Sequence, residues 1–250
     1  MKRETVTSAR NPLLVHLKKL LAARSYREAC GEFAADGTKL LEEAAKWYPG
    51  LETVVVQTGV ELCPLPEHVR VVEIPESLMR SVSQMEAPQG AIFICRLPEA
   101  RPAALRPGTL LLDGIQDPGN LGTILRTADA LEVPVVLLDG CADAYNPKTV
   151  RATMGAVFRT QPVRMTRAET VQSCRAAGIP LLATAMSADA VDLRKKNLSG
   201  CAVVIGSEGR GVSAELFAAA DGKIIIPMNP RCESLNAAAA ATIVLWQMKC

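Results

Sequence analysis

At 250 residues the chain is long enough for one large domain or two small ones, and for a buried core. Its 49% hydrophobic and 22% charged residues exclude intrinsic disorder and a collagen-like or low-complexity chain. A net charge of +2 marks no nucleic-acid binder by itself, and 4% aromatic residues argue against an RNA-binding sheet that stacks bases on Phe and Tyr.

In chain order, Leu13, Leu17, Leu20 and Leu21 recur at helical spacing and predict a first helix over about 12–24. Leu40, Leu41, Ala44, Ala45 and Trp47 predict a second over about 37–47. LETVVVQT, VRVVEI and GAIFIC read as strands, with a short helix near 76–82. Residues 1–96 therefore make a small α/β unit. Residues 97–107 hold Pro98, Pro102 and Pro107, and proline interrupts both helix and sheet ladders, so a linker is expected there. Charge is concentrated at the start, where residues 1–30 carry seven Lys and Arg against two Glu. Any single one of these is most simply a solvated group. The cluster as a whole is better explained as a phosphate-facing patch.

From 108 to 250, strands and helices alternate. TLLLD is a strand, NLGTILRTADALE a helix and VPVVLLD a strand. A helix near 147–157, the strand QPVRM and a helix near 167–177 follow. PLLATA, CAVVIG and KIIIPM are strands, a helix near 213–219 separates the last two, and SLNAAAAATIVLWQMK is the final helix. Unbroken apolar strands interleaved with helices predict a parallel sheet covered on both faces.

The eight cysteines are spread along the chain without a CxxC, so neither a zinc ribbon nor a redox dithiol is expected, and no metal is assigned. The first residues lack the apolar core of a secretory signal, and no uncharged stretch reaches the ~18 residues of a membrane span. The expectation is a reduced, cytoplasmic protein with no membrane partner. Both histidines, His16 and His68, lie in the first third, so chemistry beyond it must proceed without His.

In an open parallel sheet, ligands bind beyond the carboxyl ends of the strands. That rule singles out DGIQDPGN, TAMSAD, GSEGRG and PMNPRCES. After the first loop, Leu121, Ile124, Leu125, Ala128 and Leu131 form an apolar helical stripe, and Arg126 points away from it. Asn120 stands where an N-cap belongs, and Gly122 costs about 1 kcal/mol in a helix unless something approaches closely there. GSEGRG has the glycine order G-x-x-G-x-G, which is neither the dinucleotide fingerprint nor a Walker loop, so NAD and ATP are not supported. Ser234 is placed to cap the final helix. The run Ala237–Ala241 suits close approach of a second subunit as well as it suits plain helix propensity.

With these segments in hand, the chain resembles the SpoU/TrmH family of RNA 2′-O-ribose methyltransferases, within the SPOUT superfamily, over nearly all of its length. NLGTILR resembles the family's first motif through Asn120, Gly122 and Arg126. VVIGSEGRGVS resembles the second through Gly206 and Glu208, and IIIPMNPRCESLNAAAAA the third through Ile226, Pro227, Met228, Ser234, Leu235 and Asn236. Asn229-Pro230-Arg231 replaces a turn that commonly contains Gly. Residues 1–95 are similar to the small substrate-binding domain that precedes many such enzymes, with Asp36-Gly37 before its second helix.

The resemblance implies a deep C-terminal trefoil knot and a homodimer with the site at or near the interface. It implies S-adenosylmethionine as cofactor, held by Thr184, Gly206, Ile226, Met228 and Leu235. Catalytic roles fall to Asn120, Arg126, Glu208, Ser234 and Asn236. The first unit becomes the RNA reader, with Arg10, Asn11, Lys18, Lys19, Arg24, Arg27 and Lys39 as candidate contacts. In the family the first-motif Arg is proposed as general base, but holding Arg126 neutral at pH 7 would cost roughly 8 kcal/mol. The alternative is a charged Arg126 that holds an RNA phosphate or the developing alkoxide. The expected substrate is ribosomal RNA of the 23S type. A tRNA methyltransferase of the same family, a resistance methylase acting on rRNA, and a non-catalytic RNA-binding or ribosome-assembly protein on the same fold stay open. Three complete motifs weigh against the last.

Overall fold

A computed structural model describes residues 3–99, 105–229 and 231–250. Residues 100–104 of the expected linker, and Lys2 of the basic cluster, lie outside the described residues. The chain divides into two compact units, residues 1–99 with 145–159 and residues 100–144 with 160–250.

The first unit begins with β1 (Arg3–Thr5), α1 (Pro12–Ala22), α2 (Arg24–Cys30), β2 (Glu32–Asp36) and α3 (Thr38–Trp47). It continues with β3 (Leu51–Gln57), β4 (Arg70–Ile74), α4 (Glu76–Val82) and β5 (Ala91–Arg96). Asn11 caps α1 by accepting from the Leu13 N–H, and Pro12 starts the first turn, where its missing N–H costs nothing. The helix stops where Ala23 turns extended, so the expected helix over 12–24 ends two residues early, and α2, which the sequence did not predict, follows it. The sheet runs β1-β4-β3-β5-β2 and is mixed. β1, β4 and β3 are parallel, whereas β5 is antiparallel to both β3 and β2. β2 was hidden in a run of helix-favouring Ala34 and Ala35. Pairing with β5, Glu32 opposite Arg96 through Asp36 opposite Ile92, overrides that propensity.

The second unit opens with β6 (Thr109–Asp113), α5 (Pro118–Ala130) and β7 (Val135–Leu137). The chain then makes α6 (Pro147–Thr153) and α7 (Ala156–Arg159), which pack with the first unit. A single helix near 147–157 is interrupted because Met154 and Gly155 take positive φ, 50° and 92°. A Cβ on Gly155 would lie 2.6 Å from Cγ of Glu43, so the corner is built where α3 comes close. β8 (Val163–Arg164), α8 (Arg167–Ala177), β9 (Leu181–Thr184), β10 (Val191–Asp192), β11 (Ala202–Gly206), α9 (Ala214–Ala219), β12 (Gly222–Ile225) and α10 (Ala237–Gln247) complete the second unit. Its seven-stranded sheet has the order β10-β12-β9-β11-β6-β7-β8, and every pairing is parallel.

The first unit holds two cores. One gathers Phe33, Tyr48, Phe93 and Phe158 with the partly buried Tyr145. The other packs Leu14, Leu17 and Leu20 of α1 on Val55, Val72 and Ile92 of the sheet. One core of the second unit is almost wholly aliphatic, including Leu111, Val136, Leu181, Val204 and Leu216. Among the described residues no helix is long and apolar enough to cross a membrane.

Candidate active site

Four adjacent strands of the second sheet, β12, β9, β11 and β6, end at the same edge, and the segments that follow them meet there. The loops after β9, β11 and β12 enclose a cavity of about 560 Å³. That size lies inside the roughly 300–1,000 Å³ range of small-molecule sites. Thr184, Gly206, Glu208, Ile226, Met228, Ser234 and Leu235 all line it. Seven positions singled out in the sequence, drawn from three separate segments, thus share one cavity.

Close packing holds the middle loop in place. Ser207 and Gly211 exchange two backbone hydrogen bonds, at 3.1 and 2.9 Å, which fold the loop back over the end of β11. A Cβ on Gly206 would stand 1.9 Å from the Gly211 carbonyl carbon and 2.1 Å from the Val212 nitrogen. Only glycine permits that approach. The fold-back carries Glu208 toward α5.

Asn120 and Asn236 stand at the rim. The Asn236 Oδ1 caps α10 by accepting from the Ala238 and Ala239 N–H groups, at 2.9 and 3.3 Å. Its amide nitrogen donates to Oδ1 of Asn120 at 3.0 Å. The Asn120 amide nitrogen donates in turn to Oε1 of Glu208 at 2.5 Å. The helix terminus fixes one amide, that amide fixes the next, and the second holds a carboxylate at the cavity.

Two capping expectations are corrected. Asp117 is the N-cap of α5: its carboxylate accepts from the Asn120 N–H at 2.8 Å, which frees the Asn120 side chain for Glu208. Asn236 is the cap of α10, and Ser234 precedes the helix on the cavity wall.

Arg126 does not join this group. It is exposed on α5, about 9 Å along the axis and about 120° around it from Asn120 at 1.5 Å and 100° per residue. Among the described residues it has no hydrogen-bonding or ion-pair partner.

The basic residues of the first unit divide. Arg10, Lys18, Lys19 and Lys39 are exposed. Asn11 spends its side-chain oxygen on the α1 cap. Arg24 is exposed but ion-paired with Glu28 at 2.7 Å. Arg27 is corrected: it is 2% exposed, and its Nη1 donates to the Leu20 carbonyl at 2.7 Å, so it closes the end of α1 from inside and reaches no RNA.

Sequence reasoning missed Phe217 and Ala240 on the cavity wall, because both read as ordinary helix residues. It singled out DGIQDPGN without giving Asp113 a role, because the place of Asp113 opposite Gly206 is visible only in the pairing of β6 with β11.

A parallel sheet with a cavity at its carboxyl edge defines an α/β protein with a small-molecule site. The SpoU rRNA Methylase family matches residues 107–246, and the MRM3-like substrate binding domain matches residues 11–92. The chain belongs to the SpoU rRNA methylase family. It is 34% identical over 247 residues to the 23S rRNA (guanosine(2553)-2′-O)-methyltransferase RlmP of Bacillus subtilis, covering 98% of each chain. It is 30% identical to the 23S rRNA (uridine(2479)-2′-O)-methyltransferase of Streptomyces viridochromogenes, covering 96% of this chain and 90% of that one. The structure of an AdoMet-bound rRNA methyltransferase from Sinorhizobium meliloti superposes with a TM-score of 0.86 at 30% identity, covering 99% of this chain and 97% of that one.

Proposed function

We propose that the protein transfers the methyl group of S-adenosylmethionine to a ribose 2′-hydroxyl of 23S-type ribosomal RNA, acting as a cytoplasmic homodimer. The observation that carries this reading is the Asn236–Asn120–Glu208 chain at the rim of the cavity. Three residues drawn from the family's three motifs hold one another there. The two relatives named above support a 2′-O product on 23S rRNA, and their different target bases leave the nucleotide to be found.

The cavity's chemistry fits the cofactor. Ile224, Leu235 and Phe217 give it apolar walls for an adenine, and Glu208 and Glu233 give it anionic groups for a cation. When bound, the cofactor supplies a sulfonium-activated methyl group. Thr184, Gly206, Ile226, Met228 and Leu235 would hold it. The loops that carry these residues would thread together as a trefoil knot, a reading that rests on the family likeness. Glu208, oriented by Asn120, accepts the hydrogen bond of the ribose hydroxyl. Ser234 holds the ribose from the other wall. With the cofactor bound, these groups would orient the hydroxyl for transfer, a contribution of positioning.

Arg126 would act either as general base or by meeting an RNA phosphate or the developing alkoxide. Its face of α5 turns away from the Asn120 rim, so it serves the site from a second copy of the chain. Ala239, Ile243 and Trp246 are exposed on α10 at spacings of four and three residues, and Trp246 is 63% exposed. This apolar stripe supports the dimer. Arg10, Lys18, Lys19 and Lys39 would grip phosphates, so RNA affinity should fall steeply as salt rises.

Mapping ribose methylation in total RNA from a strain lacking the protein tests the reading. One 2′-O-methyl group should vanish from large-subunit rRNA, and its loss from tRNA instead would favour the tRNA alternative. Purified Arg126→Ala should lose about 10²–10³ in turnover. Near-normal turnover would remove Arg126 from the mechanism in either role.

A further inference from the structure

Asp113 ends β6 and stands opposite Gly206 of β11, the residue at which the cofactor loop begins. It is 2% exposed, yet it is a charged side chain outside the motif set. Its two carboxylate oxygens have different partners. Oδ1 accepts from Nε of Arg167 at 2.8 Å and lies 2.7 Å from Nη2 of the same residue. Oδ2 accepts from the backbone N–H of Ser213 at 2.7 Å. Arg167 also donates from Nη2 to the Asp139 carbonyl at 2.9 Å, beyond the end of β7. A buried carboxylate is tolerable only when paired and fully hydrogen-bonded, and this one is.

Ser213 is the N-cap of α9 and follows the loop that lines the cavity through Val212. The loop leaves the sheet at Gly206, folds back at Ser207–Gly211, and is fastened at its far end through the Ser213 N–H. Ser213 makes no side-chain capping bond, and its Oγ is buried without a hydrogen-bonding partner among the described residues. The backbone N–H, not the hydroxyl, is therefore what is held.

We propose that Asp113 is a positioning residue for the cofactor site, acting through the Ser213 N–H to fix the loop that carries Gly206 and Glu208. Arg167 neutralises the buried charge and keeps one oxygen free for that bond. This rests on the methyltransferase reading above and adds a residue to it. A side-chain amide at position 113 keeps one acceptor and turns two donor hydrogens toward Arg167 or Ser213, so it cannot serve both.

The test separates the N–H from the side chain. Ser213 has φ −59°, which suits the proline ring, so Ser213→Pro removes the donor and sets the ring Cδ against Asp113 Oδ2, breaking the fastening from the loop side. Ser213→Ala keeps the donor. Affinity for S-adenosylmethionine is measured by calorimetry on full-length protein, with KM for cofactor, kcat and RNA affinity alongside. Asp113→Asn and Ser213→Pro should each weaken cofactor binding and raise its KM tenfold or more, with RNA affinity within twofold. Ser213→Ala should stay within twofold throughout. Unchanged cofactor affinity in Ser213→Pro, or an equal loss in Ser213→Ala, overturns the proposal. So does a variant that unfolds at assay temperature, because the effect is confined to one loop. Wild-type protein that binds no cofactor would instead overturn the methyltransferase reading.

Discussion

The two units are made of different material. The first draws Phe33, Tyr48, Phe93 and Phe158 inward: Phe33 lies 4.8 Å from Tyr145, 5.9 Å from Tyr48 and 6.3 Å from Phe158, ring centre to ring centre. The second builds its sheet from Leu, Ile and Val and places Gly, Asn and Glu in the loops at its carboxyl edge. Side-chain packing shapes the first unit. In the second, packing supplies a frame, and backbone approach and amide hydrogen bonds shape the site. Substitutions in the aromatic core should therefore cost stability, and those at the loop edge should cost binding with the fold kept.

The hardest test of that contrast is Phe158→Ala. Phe158 is fully buried, lies on α7, and contacts the rings of Phe33, Tyr48 and Phe93. It comes from a segment inserted between β7 and β8, so it closes the core from a distant part of the chain. Its truncation should cost about 3–5 kcal/mol, lowering the denaturation midpoint in urea. A loss below about 1 kcal/mol would mean the aromatic cluster is not what holds the first unit together.

Gly206→Ala is the converse test. The added Cβ meets the backbone of Gly211 and Val212 near 2 Å, so the fold-back must open. Cofactor affinity should fall by about 10²-fold or more, the equivalent of two or more bonds lost at about 1.4 kcal/mol per decade. The loop is at the surface, so the melting temperature should move by only a few degrees. A large drop in melting temperature with binding retained would reverse the assignment of roles between loop and core.

How far the sequence discloses this arrangement depends on where each signal resides. α8 is legible because its determinants are local: Thr166 and Glu169 form a capping box and Gly178 ends the helix. The apolar strands of the second unit are legible because both faces are covered, and their edge rule locates the site. β2 is not legible, since its pairing partner lies some sixty residues away and its alanines favour helix. Arg27 reads as a surface cation because most arginines are; only the fold shows that it satisfies the Leu20 carbonyl. At the start of α5, Asp117 and Asn120 are both good caps, and sequence alone cannot rank them. Tertiary structure decides, because Asn120 has Glu208 and Asn236 to meet. The site residues were visible as motifs, but the chain of amide bonds that joins them was not.

The smallest expected effect concerns a polar group inside the first unit, where the contrast would otherwise place only apolar packing. Asp36 is buried at the end of β2, accepts a short hydrogen bond from Ser83 Oγ on Oδ2, and leaves Oδ1 without a hydrogen-bonding partner among the described residues. Burial raises its pKa above the ordinary 3.8, and the Ser83 hydrogen bond, the nearby Arg151 charge and the Gln84 backbone oppose that without cancelling it. Between 3.8 and the folded value the native state holds more protons than the unfolded chain, so ionising Asp36 costs stability as pH rises through that window. Asp36→Asn removes the titration. The variant's unfolding free energy minus that of the wild type should therefore increase as pH climbs from 3.8, then level off above the folded value. Urea denaturation at a series of pH values measures it. A difference that falls with pH would mean that the Arg151 charge outweighs burial, and that this carboxylate stabilises the first unit as an ion.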